Sequence, residues 1–394
     1  MRNKTILSIA LACISGLTAH AQFTGNGYYR VMNATTERYM SLTDRTSQGL
    51  DIATTTVDAS ALLTKKNWDE VSTDPGTIFY IENKGGDQYN ISAQGANLYD
   101  MIQYYVRLSY DSKANLYRAW QSETGGTIYL SDENDFTKGK DLGYVDNNTK
   151  TTLNWKILPV NTDDNYIAVK PTLAANGKYY ASFYAGFPFS VTSSNQKVYY
   201  ISNIDETNGT ATYKELTGII PAVTPVIVES TSNNSVDNKL KLEYTNPSSI
   251  KDNKMTGVYF CTGLRMTAHY NSTQFDSSTM RILSIAEDGS LVFNDDDTNT
   301  SEVIIKQGNK YPYTYPTIKA IPHNTGYLKV STSCPKTLKL VDATTGIKDI
   351  TLDDDNKPAN IYNVNGMIVR KNATDVKGLP QGVYIFKNKK YVIK

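Results

Sequence analysis

Short runs in which apolar and polar residues alternate, broken by Gly, Asn, Asp and Pro, recur from Tyr28 to Ile393. Period-two alternation puts one set of side chains on a buried face and the other in solvent, which is the geometry of a strand and not of a helix. Runs of this kind at roughly eight-to-twelve-residue spacing fold as all-β sandwiches or barrels. Four strand–turn–strand units are clearest: Tyr28–Asn33 with Tyr39–Leu42, Ile78–Asn83 with Gln88–Ser92, Tyr117–Trp120 with Thr127–Leu130, and Trp155–Leu158 with Tyr166–Val169. Their starts lie about 40 to 50 residues apart, the scale of a repeated supersecondary unit. One stretch departs from the pattern. Ile102 to Ala119 has few breakers and reads as a surface insertion with one or two helical turns. The 29 tyrosines, against 10 Phe and 3 Trp, suit half-exposed sheets, because each ring has an apolar body and a polar tip.

The two ends of the chain carry handling signals. Residues 1–21 read as a secretory leader: Arg2 and Lys4 form a basic start, Ile6–Leu17 is the apolar core, and Ala19-His20-Ala21 is an A-x-A site. Cleavage is expected between Ala21 and Gln22. The alternative lipid-attachment site, Ala10-Leu11-Ala12-Cys13, leaves a short apolar core. No later stretch is apolar enough to span a bilayer as a helix. Basic and acidic residues nearly cancel, 40 against 39, and loss of Arg2 and Lys4 leaves 38 against 39. On this average no basic field exists to recruit nucleic acid or an anionic membrane. Only Cys261 and Cys334 follow the leader. They either pair, closing a long loop worth roughly 4 kcal/mol on the chain-entropy model, or remain buried thiols. No C-x-x-C motif occurs.

Length and turn composition divide the chain into residues 22–160, 161–346, a linker at 347–359 and a tail at 360–394. In the second segment, Lys178–Tyr184, Val198–Ile201, Ala211–Leu216 and Pro225–Glu229 are strands, with Pro188, Pro221 and Pro225 at starts or edges. Ser230–Asn253 is rich in Ser, Asn, Lys and Asp and reads as an exposed excursion. Asp295–Asp297 and Asp353–Asp355 read as solvated acidic turns, since neither has the spaced ligands of a calcium loop. In the tail, Asn365-Gly366 is a hairpin turn between Ile361–Val364 and Met367–Val369, and Leu379-Pro380-Gln381-Gly382 turns into Val383–Phe386.

Three resemblances rest on these residues. The ordered set Asn365-Gly366, Leu379-Pro380-Gln381-Gly382-Val383-Tyr384 and terminal Lys394 resembles the C-terminal sorting domain that Bacteroidetes proteins carry for type IX secretion. That likeness implies a small β-sandwich-like module, export by the secretion machinery, and a place outside the cell or on the outer-membrane surface of a Gram-negative bacterium. Gly27–Asn33 with Arg38–Leu42, closed by Trp155 and Ile157, is similar to the ricin-type β-trefoil. Residues 178–229 and 280–328 resemble a β-domain that lies before such tails in secreted Bacteroidetes proteins.

The trefoil likeness implies sugar binding. The Gln-x-Trp signature of its lectin members is absent, however, and Leu153-Asn154-Trp155 stands in that place. The same likeness makes Asp44, Asp51, Asp100 and Asp132, which follow the hairpins, acceptors for sugar hydroxyls or, alternatively, turn-capping aspartates. Tyr311, Tyr313 and Tyr315, on a proline-stiffened run, would present rings for stacking on sugar faces or else close the core. No nucleophile elbow, H-E-x-x-H, P-loop or dinucleotide fingerprint occurs, and only His269 and His323 follow the leader. The expectation is therefore an all-β, non-catalytic binding or adhesion protein without a cofactor, with glycan as partner. A structural cell-envelope protein and a glycan-active hydrolase with carboxylates on distant strands are the alternatives.

Overall fold

A computed structural model describes residues 26–41, 63–65, 67–94, 96–97, 106–123, 125–135, 140–259, 273–304, 316–343, 358–363, 367–387 and 389–393. The chain divides into two compact units, Met1–Val341 and Asp342–Lys394. The regular elements among the described residues are almost all strands, as the alternation requires. The protein is all-β.

The first sheet holds β1 (Gly27–Asn33), β2 (Tyr39–Ser41), β3 (Leu63–Lys65), β4 (Phe79–Gly85), β5 (Gln88–Ala93), β6 (Ala96–Asn97), β7 (Val106–Asp111), β8 (Leu116–Glu123), β9 (Gly126–Asp135), β10 (Lys140–Val145) and β11 (Trp155–Pro159). Six of them pair antiparallel in an unbroken ring: β1 to β4, β5, β7, β8, β11 and back to β1. Ring closure leaves no free edge among the six strands, which removes the usual site of edge-to-edge aggregation. The other strands leave the ring as β2–β3, β6 and β9–β10. Val31, Phe79, Ile81, Ile91, Val106, Leu108, Leu130 and Trp155 form one apolar cluster. The Trp155 indole N–H donates to the Leu130 carbonyl at 3.1 Å, so the ring's largest buried side chain leaves no orphan donor.

The helical turns expected within Ile102–Ala119 are absent from the described part of that stretch. β7 and β8 form an antiparallel hairpin there. Val106 and Leu108 on β7, and Tyr117 and Ala119 on β8, bury alternate side chains, and Asn115 takes the left-handed conformation (φ 55°) before the return strand. Burial at period two outweighed the scarcity of breakers.

A second set of strands follows: β12 (Ile167–Ala168), β13 (Leu173–Ala175), β14 (Lys178–Phe183), β15 (Phe189–Val191), β16 (Gln196–Asp205), β17 (Thr210–Leu216), β18 (Val226–Ser230), β19 (Lys239–Leu242) and β20 (Met255–Val258). Beyond residue 272 come β21 (Met280–Ile285), β22 (Leu291–Asn294), β23 (Ser301–Ile304), β24 (Thr317–Ala320), β25 (Thr325–Lys329) and β26 (Thr337–Asp342). Ten of them build one sheet, ordered β13-β14-β18-β16-β17-β26-β22-β21-β25-β20. Its two ends approach each other. The Ser182 hydroxyl donates to the Gly326 carbonyl at 3.1 Å and accepts from the Gly326 N–H at 2.7 Å, joining β14 to β25. Ile201, Ile227, Leu283, Phe293, Leu328 and Leu338 from both halves fill the space between.

Two further expectations are revised. The fourth strand–turn–strand unit is not a hairpin: β11 closes the ring on β1, whereas β12 pairs β19 in a separate sheet ordered β12-β19-β15. The polar stretch 230–253 is not wholly an excursion, because Leu240 and Leu242 of β19 are buried. The Lys-Leu-Lys-Leu alternation at 239–242 carries that strand.

Packing runs across residue 160. Ile78 and Tyr28 share a cluster with Val160, Ile167, Phe187 and Phe189, and Tyr259 and Tyr184 pack with the ring's residues. Arg30 is the polar counterpart of this packing. Its side chain is fully buried, yet it meets four acceptors from three segments. It donates to Thr77 Oγ1 at 3.0 Å, Asn165 Oδ1 at 2.6 Å, the Tyr166 carbonyl at 2.8 Å and the Val71 carbonyl at 3.1 Å. Its guanidinium carbon also lies 5.3 Å from the Trp68 ring centroid. Val71 and Trp68 belong to α1 (Trp68–Thr73), capped by Asn67. Burial lowers the guanidinium pKa to about 9, against the pull of Tyr39, Asp74 and Tyr166.

The unit Asp342–Lys394 contains β27 (Ala359–Asn363), β28 (Ile368–Ala373), β29 (Gly382–Phe386) and β30 (Lys389–Ile393). Among the described residues they form one sheet, ordered β28-β27-β29-β30. One face carries the core of Ile361, Tyr384 and Phe386, joined by Ala373, Val376 and Leu379. A single layer suffices because the 373–379 segment covers that face. The expected turn Asn365-Gly366 and most of the expected linker lie outside the described residues.

Candidate functional site

Of the residues expected to meet a ligand, Asp44, Tyr311, Tyr313 and Tyr315 lie outside the described residues, as do Asp51, Asp100 and Cys261. Asp132 is described, and it faces inward. Its side chain is fully buried in β9, with Arg38 Nη1 at 3.4 Å from Oδ1, and the Thr36 hydroxyl donates to Oδ2. This ion pair ties the turn after β1 to β9 and leaves no face of the carboxylate open to a sugar hydroxyl. Cys334 is a buried free thiol in the core between the sheet halves, and burial raises its pKa.

The structure brings together a different set of aromatic residues. β1 and β4 pair Tyr28 with Tyr80, whose ring centroids are 5.1 Å apart. Tyr28 also lies 6.2 Å from Phe187, edge-on, and 6.0 Å from Tyr244. Phe187 is buried and anchors one end of this patch, while Tyr244, just past β19, is 68% exposed and opens the other. Burial raises the Tyr28 hydroxyl pKa, with Tyr80 and Tyr244 adding to the shift, and burial and then Tyr244 raise that of Tyr29. Tyr28 and Tyr29 therefore stay uncharged across the neutral range. An uncharged ring held rigid from beneath presents a π face to the apolar face of a flat ligand at little cost in entropy. The sequence carried one signal for it: Tyr244 is the only aromatic residue in the polar stretch 230–253.

Two other arrangements have a different character. Glu229 of β18 is buried beside Lys178, and it accepts from the hydroxyls of Tyr180 at 3.0 Å and Tyr199 at 3.4 Å. Its oxygens are committed to these neighbours, so the cluster serves as an internal tie between β14, β16 and β18. A half-open groove of about 360 Å³ runs along the seam between β14 and β25. Thr172, Ser182, Asn299 and Thr300 supply polar groups to it, and Leu173 and Leu283 an apolar floor. It is the size of a small-ligand site.

The tyrosines also govern the alkaline limit of stability. Burial is the leading cause of raised hydroxyl pKa values at Tyr28, Tyr29, Tyr39, Tyr180, Tyr184, Tyr199, Tyr200, Tyr259 and Tyr327. A hydroxyl whose folded value lies above the ordinary 10.0 contributes stability that is intact below pH 10. That contribution is lost as pH climbs through the raised folded value. Tyrosinate absorbance and far-ultraviolet circular dichroism, followed together, are expected to show a late group of tyrosines ionising in step with unfolding. Ionisation of all 29 in one gradual wave near pH 10, with unchanged dichroism, would contradict this.

No family model matches the chain, and no curated protein matches it. Among solved structures it is similar to a mosquitocidal holotoxin at 12% identity, with a TM-score of 0.25, over 88% of this chain and 38% of that one. The chain thus spans well under half of that toxin, and a likeness at this level carries no argument about fold or activity.

Proposed function

We propose that this is a secreted or surface-displayed, non-catalytic glycan-binding protein, with the Tyr28–Tyr80–Tyr244 patch as its contact surface. The observation that carries the reading is Tyr244, a large ring 68% exposed yet supported by Tyr28 from beneath. An exposed, preorganised aromatic ring suits the C–H face of a pyranose, and the raised hydroxyl pKa values of Tyr28 and Tyr29 keep the surface beneath it uncharged. The closed six-strand ring with hairpins leaving it supports the trefoil-like reading of residues 22–160. The leader at 1–21 and the tail at 360–394 are the support for placement outside the cell.

The test is a glycan array with the chain from Gln22 to Lys394, followed by titration with the best free sugar. Binding that free sugar competes away is expected. Tyr244→Ala is expected to weaken it about tenfold, the worth of one aromatic contact, and Tyr244→Phe to keep most of it. A blank array, or an affinity that Tyr244→Ala leaves unchanged, would overturn the proposal and favour a purely structural role for the patch.

A further inference from the structure

The near-neutral charge of the whole chain conceals an uneven distribution. Between Pro358 and Lys394 stand Arg370, Lys371, Lys377, Lys387, Lys389, Lys390 and Lys394, against the single carboxylate of Asp375. This stretch is therefore +6 in a chain whose total is +1, and the preceding residues together are −5. The whole unit Asp342–Lys394 is +3, because Asp342, Asp349 and Asp353–Asp355 precede this stretch with only Lys348 and Lys357. It is therefore the stretch from Pro358 onward whose charge favours an anionic surface as partner.

The sheet of the same unit has an unpartnered apolar face. Ile361 pairs with Phe386, and Tyr384 with Tyr391, on the side that carries the core. Tyr362 pairs with both Ile368 and Ile385, and Val383 with Val392, on the opposite side. That outer side is exposed at its rims: Ile368 is 46% and Val392 58% exposed, with Met367 at 60% and Val369 at 43% beside them. Lys390 is Ile385's partner across the strands and so shares the outer face. Lys390 and Lys371 are both exposed. Asp375 lies in the 373–379 segment that covers the other face. The outer face thus combines apolar side chains with the cation of Lys390, and the four described strands of this sheet carry no carboxylate.

We propose that this face docks on a bilayer surface bearing anionic headgroups. Valine and isoleucine would enter the headgroup boundary, while the lysines, with charged tips on long apolar stems, would meet the phosphates. Burial of the same face against a second copy is disfavoured, because it would bring two copies of this cationic stretch together. A neutral apolar partner leaves the lysines without counter-charge.

The test is flotation of the chain from Gln22 to Lys394 with vesicles of phosphatidylcholine alone and of phosphatidylcholine with phosphatidylglycerol in equal parts, at low and high salt. Recovery with the anionic vesicles only, falling with salt, is expected. Lys371→Glu and Lys390→Glu should each weaken it by fivefold or more, since one lysine near such a surface is worth roughly fivefold. Ile368→Thr and Val392→Thr keep β-branched side chains at exposed strand positions, so folding is retained, and they should also weaken recovery. Equal recovery with neutral vesicles would overturn the proposal, as would wild-type recovery of the charge-reversed chains. No recovery with anionic vesicles would also overturn it and direct the search to an acidic protein partner.

Discussion

Replacing Arg30 by leucine is expected to cost about 4 kcal/mol of stability, the scale for breaking one side of a buried charged network. Four acceptors lose the guanidinium at once: Thr77 Oγ1, Asn165 Oδ1 and the carbonyls of Tyr166 and Val71, of which Val71 alone keeps a second donor in the Thr77 hydroxyl at 3.0 Å. Each sits where water cannot replace the guanidinium without rearrangement. Asp74 compounds the loss. Its carboxylate is buried and pulls on the Arg30 charge, while it accepts from the Ser41 hydroxyl at 2.6 Å and the Gly76 N–H at 2.7 Å. Removing the cation takes a favourable charge interaction from that buried anion. Arg30→Lys keeps the charge but not the planar fork whose spread nitrogens meet the four acceptors, so rescue should be small. Urea unfolding of the three chains measures this. A leucine variant within 1 kcal/mol of the parent would show that the network contributes specificity rather than stability.

Gly257→Ala carries the second large effect, expected at about 3 kcal/mol. The reason is space rather than backbone conformation. A Cβ at Gly257 would lie 2.3 to 2.5 Å from three ring carbons of Tyr184, well inside contact distance. The ring has little freedom to give way. Tyr184 donates its N–H to the Asn324 carbonyl at 2.8 Å and accepts from the Asn324 side-chain amide at 3.0 Å, and its ring lies 4.5 Å from that of Tyr259. Opposite Gly257 across the strand pair is Gly326, which is closed off in turn by Pro225 at 2.8 Å and Met255 at 3.0 Å. The two small residues let β20 and β25 approach the Tyr184 ring closely. If this account holds, Tyr184→Ala combined with Gly257→Ala should cost less than the sum of the two single changes, because the alanine methyl then enters space the ring has left. Strict additivity in thermal or urea unfolding would exclude the steric explanation.

These two positions show where reading the chain by itself stops. The strands were legible because period two is a local property. Tyr28–Asn33, Lys178–Phe183 and Val383–Phe386 alternate within themselves, and each became a strand. Ile102–Ala119 was misread for the same reason: few breakers is also a local observation, while the burial of Val106, Leu108, Tyr117 and Ala119 depends on distant partners. Arg30 looks in the sequence like an ordinary polar position between Tyr29 and Val31. Only Asn165 and Tyr166, about 135 residues away, make it the centre of a network.

The candidate site follows the same division. Aspartates after hairpins were an obvious choice for a ligand, but Asp132 turned inward because Arg38 and Thr36 reach it from the turn after β1. Tyr244 could be seen in the sequence as a lone aromatic residue, yet nothing local puts it against Tyr28, which lies in the first strand of the ring. Charge sits between the two cases. The seven cations of the last stretch can be counted from the sequence, but only the strand pairing sets one of them, Lys390, on the same face as Ile385, Tyr362 and Val383. By itself the sequence determined that the chain is all-β, because alternation and turn residues act within a few neighbours. The tertiary structure alone decided which tyrosines and charges meet, because those contacts join residues that no local pattern relates.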